Sequence, residues 1–377
     1  MTFHELSIYF EKLESISSRL AITEIVADLY KKASAIESAQ ISYLLQGRVV
    51  PVFEAIEFGI ADKTMIKAIA IAVGETDELV LQTFKKLGDL GNAAEELKKH
   101  KKSSQLSITE VFSDFKKIAE TGGKGSQEQK LAMLSGLIAQ ADPLSAKYIV
   151  RIPLGKLRLG FSDMTILDSL SWMLDGTKDH RKEIEKPYNV RPDLGFIAAT
   201  VKEKGIKGLA KTIPTSGTPI LMARANRLSS SEEIIEKLGK CAVEMKYDGL
   251  RLQVHFKRQA TNDKRKGMVK MFSRNLEDVT TMFPDIEQAV QEQITADEVI
   301  FEGEVVAYNP KTGVHVPFQQ TMQRKRKYDI TEKALEIPVK LFAFELLFAN
   351  GVNYIHEPYE KRQKETDWDE IWKTDPY

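Results

Sequence analysis

The sequence predicts a two-part molecule: an all-α amino-terminal domain followed by an α+β domain built on antiparallel sheets. Three observations predict it. Apolar residues recur with the helical period up to about residue 200. Beyond about residue 220 the period becomes two. Between the two regimes prolines and glycines gather at Pro187, Pro192, Pro214 and Pro219, ending in "PTSGTP", the composition of a boundary. At 377 residues, 42 % of them apolar, the chain is long enough for more than one core. We place the domains at 1–205 and 206–377.

In chain order, "FHELSIYFEKLESISSRL" spaces Phe3, Leu6, Phe10, Leu13 and Ile16 for one buried helix face. Gly47 followed by Pro51 reads as a helix stop. Ser107 with Glu110, and Ser126 with Gln129, read as capped helix starts. In the second part "LRLQVHF", "VIFEGEVVAYN" and "VKLFAFELLF" are strands, the last two followed by the turns "NPKTG" and "ANG". The strand in "LFAFELLF" is expected to set Phe342, Phe344, Leu346 and Phe348 on one face. Lys+Arg and Asp+Glu both number 54, which excludes a uniformly basic coat but leaves local basic patches. A single cysteine, Cys241, suits a reducing compartment. No signal peptide and no apolar run of membrane-spanning length is visible, so an intracellular soluble protein, cytoplasmic or nuclear, is expected.

The stretch with chemical content is "EMKYDGLRLQVHF", residues 244–256. It reads as strand, Asp-Gly turn and strand, with Lys246 just before the turn. Lysine attacks as a nucleophile only when neighbouring cations or desolvation lower its pKa. Arg251 lies across the turn, and Glu244 shares the strand face of Lys246. An ordinary solvated hairpin explains the same residues. Glu302 and Glu304 sit two apart on one strand face, as oxygen ligands for Mg²⁺ would, or as solubilising charges. One phenylalanine of "LFAFELLF" could offer a ring to a base. Arg274 ends a strand before a helix start. "TGGKGS" (121–126) is not a P-loop, because it lacks the four-residue spacer and follows no strand. "KKHKK" (98–102) reads as a solvated helix end.

In this order "KYDGLR" (246–251), "SRNLEDVT" (273–280), "FEGEVVAY" (301–308) and "LFAFELLFANG" (341–351) resemble successive motifs of the ATP-dependent DNA ligases, covalent nucleotidyltransferases with a Lys-x-Asp-Gly lysine. "RIPLGKLRLGFSD" (151–163), "TGGKGSQEQK" (121–130) and "PFQQTMQRKRKYDI" (317–330) extend the likeness to the replicative archaeal and eukaryotic type, over essentially the whole chain. The resemblance implies that Lys246 attacks the α-phosphate of ATP to give lysyl-AMP, that AMP passes to the 5′-phosphate of a DNA nick, and that the 3′-hydroxyl then displaces it. It implies Glu244 at the adenine amino group, Arg251 and Arg274 at phosphate and ribose, Glu304 near ribose and metal, and Phe344 stacked on adenine. Mg²⁺ is implied as cofactor, with Glu304 and then Glu302 as its neighbours. Lys124, Arg151, Lys156 and Arg158 are expected at DNA phosphates. Nicked duplex DNA is the implied partner, a sliding clamp a further one, and the chain is expected to act as a monomer. "RKRK" (324–327) is expected to be structural or to face DNA rather than to be a nuclear localisation signal.

The chain departs from that pattern after "LFAFELLFANG". The family's Glu-Gly-x-x-x-Lys segment, its strand of paired lysines and its OB-fold domain are not found in this sequence. The expectation is therefore an amino-terminal part of a ligase, poor at nick sealing alone; the alternative is a catalytically silent DNA-binding fragment.

Overall fold

A computed structural model describes residues 1–157, 159–259, 267–324 and 330–364. It separates into two compact units, one of residues 1–188 with 192–212, the other of residues 189–191 with 213 onward.

The first unit is helical. Its opening helix, Phe3–Glu14, buries Phe3, Leu6, Phe10 and Leu13, as the spacing predicts. The helix stops before Ile16, which is only half-buried beyond the cap. Helix Ala35–Leu45 ends before Gly47, whose φ of 68° is the left-handed conformation of a helix stop. The Ser107 capping box forms with Glu110 as expected. The cap expected at Ser126 does not: Gly125, at φ 81°, takes the cap position and Ser126 is already inside helix Ser126–Gln140. Lys98 is also a correction. It is buried, not solvated, and donates to the Ala139 and Lys102 carbonyls.

The second unit is a five-stranded antiparallel sheet: β1 (Leu250–Arg258), β2 (Gly267–Ser273), β3 (Glu298–Ala307), β4 (Val339–Ala349) and β5 (Val352–Asn353), in the order β2-β1-β3-β4-β5. Asn350 and Gly351, both at positive φ, turn β4 into β5, which is why "ANG" sits there. On one face Leu252, Val254, Phe256, Phe301 and Leu346 pack against Ile286 and Val290 of helix Pro284–Gln293. Burying such a face stabilises by about 25 cal/mol per Å² of apolar surface.

Two sequence expectations fail here. Residues 241–247 form no strand, so the hairpin around Asp248-Gly249 does not exist. Gly249 is required for a different reason. A Cβ there would lie 2.3 Å from the Val305 carbonyl and 3.0 Å from Glu304 Cγ, so only glycine lets the chain pass β3 this closely. In β4, the pairs Gly303↔Ala343 and Glu302↔Glu345, then Phe301↔Leu346 and Ile300↔Phe348, leave Phe344 and Leu347 as extra, bulged residues. The period-two face is therefore broken. Leu346 joins the helix-covered core, while Phe348 packs on the opposite face with Ile220 and Ile300. Bulges of this kind re-aim side chains beside functional sites.

Candidate nucleotidyl-transfer site

The face of the sheet away from helix Pro284–Gln293 carries Arg251, Gln253 and His255 from β1 and Glu302 and Glu304 from β3. In a simple amphipathic strand these would meet water. Instead Gln253 and His255 are fully buried, because residues 217–220 run across them. Gln253 satisfies its whole amide. It accepts from Ile220 N–H at 2.6 Å and from His255 Nε2 at 3.0 Å, and donates to the Ile220 carbonyl and to Glu302 Oε1, each at 3.0 Å. The Gly217 N–H donates to His255 Nδ1 at 3.2 Å, which places the ring proton on Nε2. Burial pushes the His255 pKa down to about 3, so the ring is neutral.

Glu302, 3 % exposed, receives Gln253 on one oxygen and Arg251 Nη2 on the other. Both carboxylate oxygens are thus spent inside the protein, and this corrects Glu302 as a metal ligand. The Arg251 guanidinium lies 5.3 Å from the centroid of the Phe344 ring, a cation–π distance. The bulge puts Phe344 there, and Glu345, which the sequence did not single out, onto the site face opposite Glu302.

Glu304 differs from Glu302. It is half-buried, and burial raises its pKa against the opposing charges of Lys246 and Arg251; Gly249 packs close against its Cγ. Glu304 thus lies beside the "KYDG" stretch, at its glycine. Lys246 itself is exposed, on the segment that makes no strand. Tyr247 beside it stacks on Phe342, with ring centroids 4.2 Å apart and planes at 15°. Glu244 accepts from the Tyr359 hydroxyl at 2.5 Å, a bond that pushes the tyrosine up to about 12. Glu345 pairs with Arg362 and has its pKa raised by burial first of all. Arg274 is exposed in the turn after β2. Tyr359 and Arg362 carry no sequence signal, and Tyr247 stands within "KYDGLR" with no role of its own assigned. Contacts with Phe342, Glu244 and Glu345 bring them here.

Among the described residues no group of three or more His, Cys, Asp or Glu converges as ligands of a metal ion. Mg²⁺ is commonly held by one or two carboxylates together with phosphate oxygens. Glu304 has the donor for it.

The DNA-facing candidates lie in the helical unit and do not share one environment. Lys124 is exposed in a loop whose Gly123 and Gly125 take positive φ. Lys156 bonds both oxygens of Asp62, at 2.9 and 3.0 Å. Its neighbours Gly155 and Leu157 line a cleft of about 350 Å³ with Gln46, Arg48 and Asp163. Arg158 lies outside the described residues. Arg151 is corrected. It is 8 % exposed, and its guanidinium is committed to Glu14, to Asp89 at 2.9 Å and to Asn92 at 3.1 Å, so it locks helices together and has no face for DNA. In "RKRK", Arg324 is buried, makes a two-pronged bond to Asp285 at 2.6 and 3.0 Å, and lies over Phe283. Lys325 to Lys327 lie outside the described residues.

Comparison with known proteins gives matches across both units. The family model described as DNA ligase N terminus matches residues 2–171, and that described as ATP dependent DNA ligase domain matches residues 222–366. A probable DNA ligase of Dictyoglomus turgidum is 42 % identical over 367 residues, which cover 97 % of this chain and 62 % of that protein. A DNA ligase of Saccharolobus solfataricus is 40 % identical over 378 residues, with the same two shares. The chain therefore spans about 62 % of the length of the curated relatives it matches.

Proposed function

Since this chain belongs to the ATP-dependent DNA ligases, we propose that it carries the nucleotidyl-transfer step of nick sealing, with Lys246 as nucleophile. The Lys246 amine forms an N–P bond to the α-phosphorus of ATP as the P–O bond to pyrophosphate breaks. AMP then passes to the 5′-phosphate of a nick, and attack by the 3′-hydroxyl releases it. One observation carries the reading: the half-buried Glu304 side chain packs against Gly249 of the Lys-x-Asp-Gly stretch, where an added Cβ would lie 3.0 Å from Glu304 Cγ. A carboxylate fixed against the nucleophile's own loop gives the in-line positioning that phosphoryl transfer needs.

In this reading Glu304 meets the ribose and Mg²⁺, which supplies charge neutralisation on the phosphates. Arg274 contacts phosphate or ribose from its exposed turn. Arg251 does so only by leaving or sharing Glu302, and Phe344 offers its ring to adenine from beneath that guanidinium. Glu244 meets the adenine amine in exchange for its bond to Tyr359. Lys124 with its glycine loop, Lys156 and Arg158 hold DNA phosphates, positioning duplex without reading sequence.

The unpaired segment around Lys246 favours a weak stand-alone activity. Val243 and Met245 are 93 % and 78 % exposed, so apolar side chains flank the lysine with no strand beside them among the described residues. The second reading, a DNA-binding fragment without chemistry, rests on that same exposure.

Intact-mass measurement with ATP and Mg²⁺ separates them. The expected result is a gain of one AMP that Lys246→Ala abolishes; a folded chain with no adduct would leave only the DNA-binding reading. Lys124→Ala should weaken duplex binding about equally on unrelated sequences and lower the salt slope by about 1. A loss confined to one sequence would exclude a phosphate contact.

A further inference from the structure

We propose that the ring of Tyr247, stacked on Phe342 and edged by His315, is the positioning device that holds Lys246 against Glu304 in place of strand pairing. The proposal rests on the reading of Lys246 as nucleophile and deepens it.

Residues 241–247 have no sheet partner among the described residues, so the ladder that fixes β1 does not fix the lysine. Three other contacts hold this stretch. Beyond the lysine, Gly249 passes close against Glu304 Cγ, and Phe318 N–H reaches Asp248 at 3.5 Å. Before it, Tyr359 reaches the exposed Glu244. Each is a single contact, and the two hydrogen bonds among them lie in reach of water, where they contribute little net.

The aromatic contact differs in kind. Tyr247 adjoins Lys246, and its ring lies nearly parallel on Phe342 at 4.2 Å. Phe342 is the residue paired with Glu304 across the β3–β4 ladder. The stack therefore ties the residue next to the lysine to the register position that carries Glu304. His315 closes the arrangement, 6.2 Å from Tyr247 and 5.5 Å from Phe342 in edge-on geometry. It is anchored by a bridge to Tyr308 just past the end of β3. Core packing does not explain the trio: Tyr247 and Phe342 are half-buried and His315 is exposed. Sheet hydrogen bonding does not explain it either, because 247 makes none. An aromatic pair of this geometry shifts a local equilibrium by up to about tenfold.

The test compares wild type, Tyr247→Phe, Tyr247→Ala, Phe342→Ala and the double alanine variant, all in the full chain. Two quantities are read: amide exchange at Gly249, which packs against Glu304, and the rate of AMP adduct formation as a function of ATP. Exchange in β1 and β3 reports that the sheet remains intact. Tyr247→Ala and Phe342→Ala are each expected to speed Gly249 exchange by up to about tenfold. Each should slow adduct formation by a similar factor at saturating ATP, with the half-saturating ATP concentration unchanged. The double variant should be no worse than either single one, since both remove the same contact. Tyr247→Phe should keep both quantities, because the stack needs the ring and not the hydroxyl. Wild-type exchange in Tyr247→Ala, an additive double variant, or a Phe variant as slow as the Ala one would each overturn the proposal. If wild type forms no adduct, the reading of Lys246 falls, and Gly249 exchange alone then decides on the tether by the same criteria.

Discussion

The floor of the candidate site and the segment that carries its lysine meet at Gly249, yet they are held by different physics. The floor is β1 and β3, where Glu302, Gln253 and His255 are 3 %, 0 % and 0 % exposed and joined by a continuous chain of hydrogen bonds. Residues 241–246 are exposed. A buried polar network of this kind is rigid when complete and costly when broken. An exposed segment resting on a ring stack and a few polar contacts is neither. The contrast teaches that the charges of the site are preset by folding, while the lysine proposed as nucleophile is placed by local contacts that small changes can shift.

The contrast is sharpest at Glu302. Replacing it with Ala leaves the Arg251 guanidinium and one Gln253 donor without their shared acceptor. We expect a loss of about 3 kcal/mol in denaturant unfolding, with the transition of the second unit affected. A loss under about 0.5 kcal/mol would mean that the floor is no more rigid than an ordinary surface.

His255 gives the next effect, and its sign follows from burial. Its folded pKa, about 3, lies below the ordinary 6.5. Between those values the unfolded chain takes up a proton that the folded unit refuses. The stability is therefore complete above pH 6.5 and is lost as pH falls, by at most about 1.4 kcal/mol per pH unit. Unfolding midpoints at pH 7 and pH 5 should separate more in wild type than in His255→Asn. Equal separations would show that another group governs the acid limb.

The smallest effect is expected on the segment side. Tyr359→Phe removes the hydrogen bond to Glu244, which is exposed to water, and should change global stability by less than about 0.5 kcal/mol. If it instead destabilises as much as a floor substitution, the two regions are one cooperative structure and the contrast drawn here is wrong.

Much of the architecture was legible beforehand because it depends on local chemistry. The capping box at Ser107, the stop at Gly47, the face of the first helix and the strands containing Leu252, Phe301 and Leu346 all follow from side-chain spacing and backbone preference. The face shared by Glu302 and Glu304 was legible too, since alternation on a strand without a bulge is geometric. The two carboxylates are expected in similar roles from the sequence, yet they differ: Glu302 is held by Arg251 and Gln253, while Glu304 lies beside Gly249 of the "KYDG" stretch. Arg151 failed in the same way, because its partners Glu14 and Asp89 lie 137 and 62 residues away.

By itself the sequence determined the class of each half, the order of its motifs and the residue types available for chemistry, because turns, caps and period are set by neighbours within a few residues. The tertiary structure alone decided which charged groups are spent on one another, that β4 bulges at Phe344 and so brings Glu345 onto the site face, and that Tyr247 rests on Phe342. Those outcomes depend on strand register and on distant segments crossing the sheet, and no local pattern encodes where a partner 50 or 100 residues away will lie.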